Sequence, residues 1–371
     1  MQLFKLKTTL LGFDTFEEFA KEFNLGEKDL VITNQFLFDP FMKPLELSCH
    51  FVMQEKYGFG EPSDEMMNQI LNDVRHINYD RVIAIGGGTV IDISKLFVLK
   101  DVQNVTDAFE RKIPIIKEKQ LIIIPTTCGT GSEVTNISIA ELKSKNTKLG
   151  LADDAITADE AILIPEFLKG LPFKFYSASA IDALIHAVEA YVSPKATPYT
   201  LLFSKEAIRI SVDIFRNIAE KGENYRFERL QDMLIASNYA GIAFGNAGVG
   251  AVHALSYALG GAYHVPHGEA NYQFFTQVFK LYQQKNPTGK IVELNNLLAE
   301  ILHTTPDNVY PVLDEILGKM LPKKPLREYG MTEEDINLFT ESSVNTQQRL
   351  LKNNYTPFSA EDIRSIYQAL Y

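Results

Sequence analysis

RVIAIGGGTVIDISK, residues 81–95, decides the fold. Its first five residues form a continuous apolar run of strand length, and its last seven carry a helical pattern. Three glycines, Gly86, Gly87 and Gly88, stand between them. A strand that feeds a helix through glycines is the start of a parallel βαβ unit. Working outward, LVIT (30–33) and LIIIP (121–125) read as two further buried strands. SDEMMNQILNDVRHI (63–77) reads as a helix with an N-cap serine. Strands apolar on both faces, alternating with helices, predict a parallel sheet covered on both sides.

After about residue 172 the pattern changes. From FYSASAIDALIHAVEAYVS onward it is helical, with Thr332/Asp335 and Ser359/Asp362 as capping signals. The expected organisation is an α/β domain over 1–172 and an all-helical domain over 173–371.

The chain has 371 residues, 46% hydrophobic and 22% charged, with a net charge of −11. An acidic balance argues against nucleic acid as a partner. No apolar run approaches the roughly 20 residues needed to span a bilayer, so no membrane association is expected. The N-terminus lacks a signal-peptide pattern. Two cysteines make no disulfide framework, and a reducing cytoplasm is the expected location.

The glycine turn brings backbone close to a ligand at a helix start, which suits a diphosphate. A tight turn with no ligand explains the same residues. It is neither GxGxxG nor a P-loop. IIIPTTCGTGSEVT (122–135) adds a second strand running into a loop with Thr126, Thr127, Thr130 and Ser132. Two such loops at parallel strand ends suit an extended dinucleotide. Cys128 reads as a small packing residue.

AIDALIHAVEAY places Asp182 and His186 four apart on one helix face. They could simply pair with each other. VHALSYALGGAYHVPHGEANY (252–272) adds His253, His264 and His267. His253 begins a helix expected to end at Gly260–Gly261, and His267 follows a proline at the entry to another. A mixed imidazole and carboxylate set suits Zn²⁺ or Fe²⁺.

GGGTVID, PTTCGTGSEVT, DALIHAVEAY and VHALSYALGGAYHVPHG occur in the order and at the spacings of the iron-containing, group III alcohol dehydrogenases. The chain resembles that family over nearly its whole length. QEKYGFGEPSDEM, SNYAGIAFGNAGVGAVHALSY and KPLREYGM are similar to its 4-hydroxybutyrate dehydrogenase branch. The resemblance implies a dehydroquinate synthase-like architecture, with the active site in a cleft between the two domains. It implies Asp182, His186, His253 and His267 as metal ligands, with Fe²⁺ bound, or Zn²⁺ or another divalent ion. It implies Gly86, Gly87, Gly88 and Thr89 as the diphosphate turn, completed by Asp92. Thr126, Thr127 and Thr130 would form the second cofactor loop, with Lys148 a further contact.

Two positions depart from the family pattern. Asn34 follows LVIT where many members carry an aspartate that favours NAD, so the implied cofactor is NAD with NADP as the alternative. Tyr257 stands where many members carry a relay histidine, and a phenol, with an ordinary pKa near 10, is a poorer base at neutral pH. Tyr257 and His264 are the catalytic candidates for proton transfer. Together with Asn246 they are also candidate donors to a substrate carboxylate.

The implied reaction moves hydride between a nicotinamide cofactor and a small alcohol or aldehyde, 4-hydroxybutyrate and succinate semialdehyde first. A neutral alcohol or diol is the alternative within the family, and a dehydroquinate synthase-like lyase the alternative outside it. A homodimer or larger assembly is implied.

Overall fold

The structure is a computed structural model and describes residues 2–145 and 147–371. The chain divides into two compact units. One spans Leu6–Gly170; the other spans Leu171–Tyr371 and includes the N-terminal segment ending at Lys5.

The first unit is built on a six-stranded sheet. Its strands are β1 (Thr9–Gly12), β2 (Asp29–Thr33), β3 (His50–Met53), β4 (Arg81–Gly86), β5 (Gln120–Pro125) and β8 (Glu160–Leu163). They lie in the order β1-β8-β5-β4-β2-β3, and each pair is parallel. β6 (Ile137–Leu142) and β7 (Thr147–Ala152) form a separate antiparallel hairpin. The helices are α1 (Phe16–Glu22), the single turn α2 (Gln35–Leu37), α3 (Asp64–Val74), α4 (Gly88–Ser94) and α5 (Val105–Phe109).

The apolar runs give the central strands two dry faces. Leu30, Ile32, Val82, Ala84, Leu121 and Ile123 point into one core, with Met67, Ile70 and Ile91 from α3 and α4. Val31, Ile83, Ile85, Ile122 and Ile124 point into the other, with Phe16 and Phe19 from α1. The period-two alternation of side chains along a strand divides one run between two cores. Ser63 caps α3 as expected, its hydroxyl accepting from the Met66 N–H. The helix expected after the glycine turn is α-helical only to Ser94 and tightens into a 3₁₀ turn over Lys95–Val98.

The second unit is helical. It comprises α6 (Phe173–Val192), α7 (Pro198–Lys221), α8 (Leu230–Ala247), α9 (Ala251–Tyr263), α10 (His267–Lys285), α11 (Lys290–Leu302), α12 (Val309–Met320), α13 (Glu333–Thr346), α14 (Gln348–Leu351) and α15 (Ala360–Leu370). α6 is buried nearly all round from Tyr176 to Val192 and packs against α7, α8 and α10. A helix apolar on every side belongs at the centre of its unit. Both expected capping boxes, Thr332/Asp335 and Ser359/Asp362, form.

The end of α9 corrects the sequence reading. The helix runs through Gly260 and Gly261 to Tyr263, and His264 caps it in left-handed backbone at φ 53°. Each interior glycine costs a helix about 1 kcal/mol, which packing of the buried Val252–Leu259 face offsets.

Asn246, near the end of α8, holds the N-terminal segment. Its Oδ1 accepts from the Lys5 N–H at 2.7 Å and its Nδ2 donates to the Lys5 carbonyl at 2.9 Å. Phe4 stacks on Phe203 of α7 with ring centroids 5.5 Å apart. No single helix among the described residues is long and apolar enough to cross a membrane.

Candidate metal centre and cofactor loops

Three helices of the second unit bring four side chains together. α6 supplies Asp182 and, one turn on, His186; α9 supplies His253; His267 is the first residue of α10. One ligand atom from each lies within 4.8 Å of the others. The Nε2 atoms of His186 and His253 are 2.9 Å apart, and His267 Nε2 is 4.0 Å from Asp182 Oδ2. Asp182, His186 and His253 are buried, while the His267 side chain is 38% exposed.

Their neighbours fix their orientation. Glu189 Oε2 lies 2.6 Å from His253 Nδ1, and Glu189 Oε1 accepts from the Val252 N–H at 2.8 Å. With the Nδ1 proton shared with Glu189, the His253 Nε2 lone pair is free to face His186 and Asp182. Asn271 Nδ2 donates to Asp182 Oδ1 at 2.7 Å, and Phe244 stacks on His186 at 4.3 Å. Gly268 permits the close approach of α10 to α6, since a Cβ there would come 2.4 Å from the Ala178 carbonyl oxygen.

The electrostatics of the cluster favour separated charge. Burial pushes the Asp182 carboxyl up, but His186, then His267 and His253, with the Asn271 amide, hold it below its ordinary value. Burial pushes His253 down, and the Glu189 carboxylate and Asp182 outweigh it, leaving His253 raised. Three imidazoles and one carboxylate converging in a largely buried site are a donor set that fits Fe²⁺ or Zn²⁺.

The candidate cofactor residues lie in the first unit, most of them at the carboxyl ends of its strands, with Asp92 inside α4 and Lys148 on β7. Gly86–Gly88 follow β4, and Thr126 follows β5, its N–H donating to the Gly86 carbonyl at 3.1 Å. A Cβ on Gly87 would meet Thr127 Cγ2 at 3.5 Å, and one on Gly88 would meet Thr130 Cγ2 at 3.1 Å. The two loops therefore face each other across a gap that side chains on the glycines would fill. α4 begins without a side-chain cap.

Asp92 is a brace between the loops. Its Oδ1 accepts from the Ser132 hydroxyl at 2.7 Å and its Oδ2 from the Ile139 N–H at 3.0 Å. Buried Lys95 reinforces it, donating to Ser132 Oγ and to the Ile137 carbonyl, each at 2.6 Å. The Thr89 hydroxyl donates to the Gly60 carbonyl at 2.9 Å, and Lys148 pairs with Glu61. Asn34 Nδ2 donates to Glu55 Oε2 at 2.9 Å.

The remaining candidates separate. Tyr257 lies beside the metal cluster, its ring centroid 6.1 Å from that of His267. His264 is exposed at the α9 cap. Asn246 is committed to Lys5 and to the Ile242 carbonyl, which accounts for its amide. Sequence reasoning passed over Glu189 and Asn271. Glu189 was within reach: Asp182, His186 and Glu189 fall at i, i+4 and i+7, one face of one helix.

A parallel dinucleotide-type sheet with paired glycine and threonine loops, together with a helical unit that converges one aspartate and three histidines, is the arrangement of a metal-dependent, dinucleotide-using enzyme. The chain belongs to the iron-containing alcohol dehydrogenase family: residues 7–165 match Iron-containing alcohol dehydrogenase, and residues 176–371 match Fe-containing alcohol dehydrogenase family, C-terminal. The chain is 56% identical to the 4-hydroxybutyrate dehydrogenase of Clostridium kluyveri over 371 residues, all of both chains. It is 33% identical to long-chain-alcohol dehydrogenase 1 of Geobacillus thermodenitrificans, covering 97% of this chain and 94% of that one. In fold it is similar to the sulfoacetaldehyde reductase of Bifidobacterium kashiwanohense, solved in complex with NAD⁺. That match has a TM-score of 0.85 at 21% identity, over 99% of this chain and 98% of that one. Membership of a dehydrogenase family along the whole chain disfavours the lyase alternative.

Proposed function

We propose that the protein interconverts 4-hydroxybutyrate and succinate semialdehyde, passing hydride to and from NAD, with Asp182, His186, His253 and His267 holding a divalent metal, iron first. The observation that carries the substrate is the 56% end-to-end identity to the Clostridium kluyveri 4-hydroxybutyrate dehydrogenase. The donor set supports the metal, and the facing glycine and threonine loops support the dinucleotide.

A divalent ion in such a set supplies Lewis acidity to the substrate's hydroxyl or carbonyl oxygen. The protein's own residues prepare that chemistry. Asp182 carries the negative charge of the set, and Asn271 holds one of its oxygens. Glu189 keeps His253 in the tautomer whose Nε2 lone pair faces inward. Burial of Asp182, His186 and His253, with Phe244 stacked on His186, excludes water from three of the four groups. Tyr257, half-buried beside His267, is the residue to carry the hydroxyl proton outward. Exposed His264 is the weaker candidate for that task. Asp92 and Lys95 hold the two cofactor loops in register.

The proposal includes a cytoplasmic enzyme acting as a homodimer or larger assembly, which light scattering reads directly. The deciding experiment is steady-state turnover of succinate semialdehyde and of butyraldehyde with NADH, on iron-loaded enzyme. The carboxylate-bearing aldehyde is expected to have the higher kcat/KM by about tenfold or more. Equal or better use of butyraldehyde overturns the substrate and favours a neutral alcohol or diol.

A further inference from the structure

Asn34 immediately follows the strand next to the glycine-turn strand. In open α/β sheets with a glycine-rich diphosphate turn, the neighbouring strand's end meets the adenosine ribose, and an acidic residue there accepts from the ribose hydroxyls. β2 pairs directly with β4, whose end carries Gly86–Gly88. Asn34 is neutral, so β2 itself brings no carboxylate to that edge. β3 does. β2 and β3 are parallel, with Thr33 opposite Met53, so the residues just beyond both strands emerge side by side. Glu55, two residues past β3, turns its carboxylate onto Asn34. Oε2 accepts from Asn34 Nδ2 at 2.9 Å, and Oε1 accepts from the Gln35 N–H at 2.5 Å.

The turn that carries Glu55 is fixed. Gln54 is buried, and its Nε2 donates to the Gly58 carbonyl at 2.9 Å. A few residues on, the Gly60 carbonyl accepts from Thr89, at the start of the glycine-turn helix. The segment after β3 thus runs from the end of β2 to the diphosphate turn. Glu55 is half-buried and keeps an open side, as a group that meets a ligand must.

We propose that Glu55 is the specificity residue for the adenosine end of the cofactor. Its carboxylate, oriented by Asn34 and Gln35, accepts from the ribose hydroxyls and repels a 2′-phosphate. The charge that selects NAD over NADP thus comes from the strand beyond Asn34. This rests on the nicotinamide dinucleotide reading of the glycine and threonine loops. It makes Asn34 a positioning residue.

The test is calorimetric titration of the full-length protein with NAD⁺ and with NADP⁺, without substrate, so that binding is read apart from turnover. The wild type is expected to favour NAD⁺. Glu55→Gln removes the charge at nearly constant size and is expected to narrow that preference by about tenfold, mainly through tighter NADP⁺ binding. Glu65→Gln makes the same change in net charge on α3, where Glu65 pairs with Lys143, and is expected to leave the ratio unchanged. A ratio in Glu55→Gln equal to that of the wild type overturns the role of Glu55 while leaving the dinucleotide site standing. A wild type that favours NADP⁺ overturns it too. Failure of the wild type to bind either dinucleotide overturns the cofactor reading itself, and this inference with it.

Discussion

Glu189 Oε2 lies 2.6 Å from His253 Nδ1, and both residues are buried. One carboxylate therefore sets the ring orientation and proton position of a histidine whose other nitrogen faces His186. Partners of this kind typically contribute about tenfold to a hundredfold in metal affinity. Glu189→Gln is expected to weaken Fe²⁺ or Zn²⁺ binding by that order, with unchanged helix content by circular dichroism. Competition with a chromophoric chelator measures it. Unaltered affinity would mean the pair is packing alone.

Gly268→Ala places a methyl group 2.4 Å from the Ala178 carbonyl oxygen and 3.2 Å from Asp182 Cβ. The start of α10 must move away from α6, taking His267 with it. Overpacking of this kind costs about 1–3 kcal/mol. The expected result is lower stability in urea together with weaker metal binding. Loss of stability with full metal affinity would show that His267 is not held by this contact.

Tyr257→Phe removes one hydroxyl beside His267 and leaves the ring in place. With Tyr257 as the proton carrier, kcat falls by about a hundredfold while metal affinity holds. His264→Gln is expected to leave kcat unchanged. The reverse pattern assigns proton transfer to His264.

Asp314 gives a prediction for acid stability. It accepts from Thr276 at 2.7 Å, Lys280 at 2.8 Å and Lys323 at 3.0 Å. Burial pushes its carboxyl up, but the Lys323 charge, with hydrogen bonds from Lys280 and Thr276, holds it below its ordinary value. A carboxylate depressed in the folded state stabilises above its unfolded pKa, near 4, and that contribution is lost as pH falls through the folded value. Asp314→Asn is expected to cost about 1–3 kcal/mol at pH 7, with the deficit shrinking below about pH 4. Urea midpoints across pH 3–7 read it; a deficit independent of pH would assign the loss to packing.

What was legible in the sequence was local or periodic. The buried strands announced themselves as apolar runs, and Asp182 and His186 as one helix face. β1, β3 and β8 are only four residues long, and such runs carry little pattern of their own. Glu55 was opaque for a different reason. Its meeting with Asn34 depends on which strands pair, and 21 residues separate the two. Asn246 was misread because an amide near a histidine-rich helix looks like a ligand donor until its partners at Lys5 are known. The glycines of α9 misled because local propensity was overruled by the packing of a buried face.

The clasp between Lys5 and Asn246 has a consequence for the growing polypeptide. The two residues are 241 positions apart, so a segment translated before the whole α/β unit waits until α8 leaves the ribosome. Phe203 is made earlier, on α7, so Phe4 has its stacking partner before Asn246 arrives to hold the neighbouring backbone. Closing so long a loop costs only slightly more than closing one half its length, about 0.6 kcal/mol per doubling. The delay is one of timing: a helix made after the whole α/β unit holds a segment made before it.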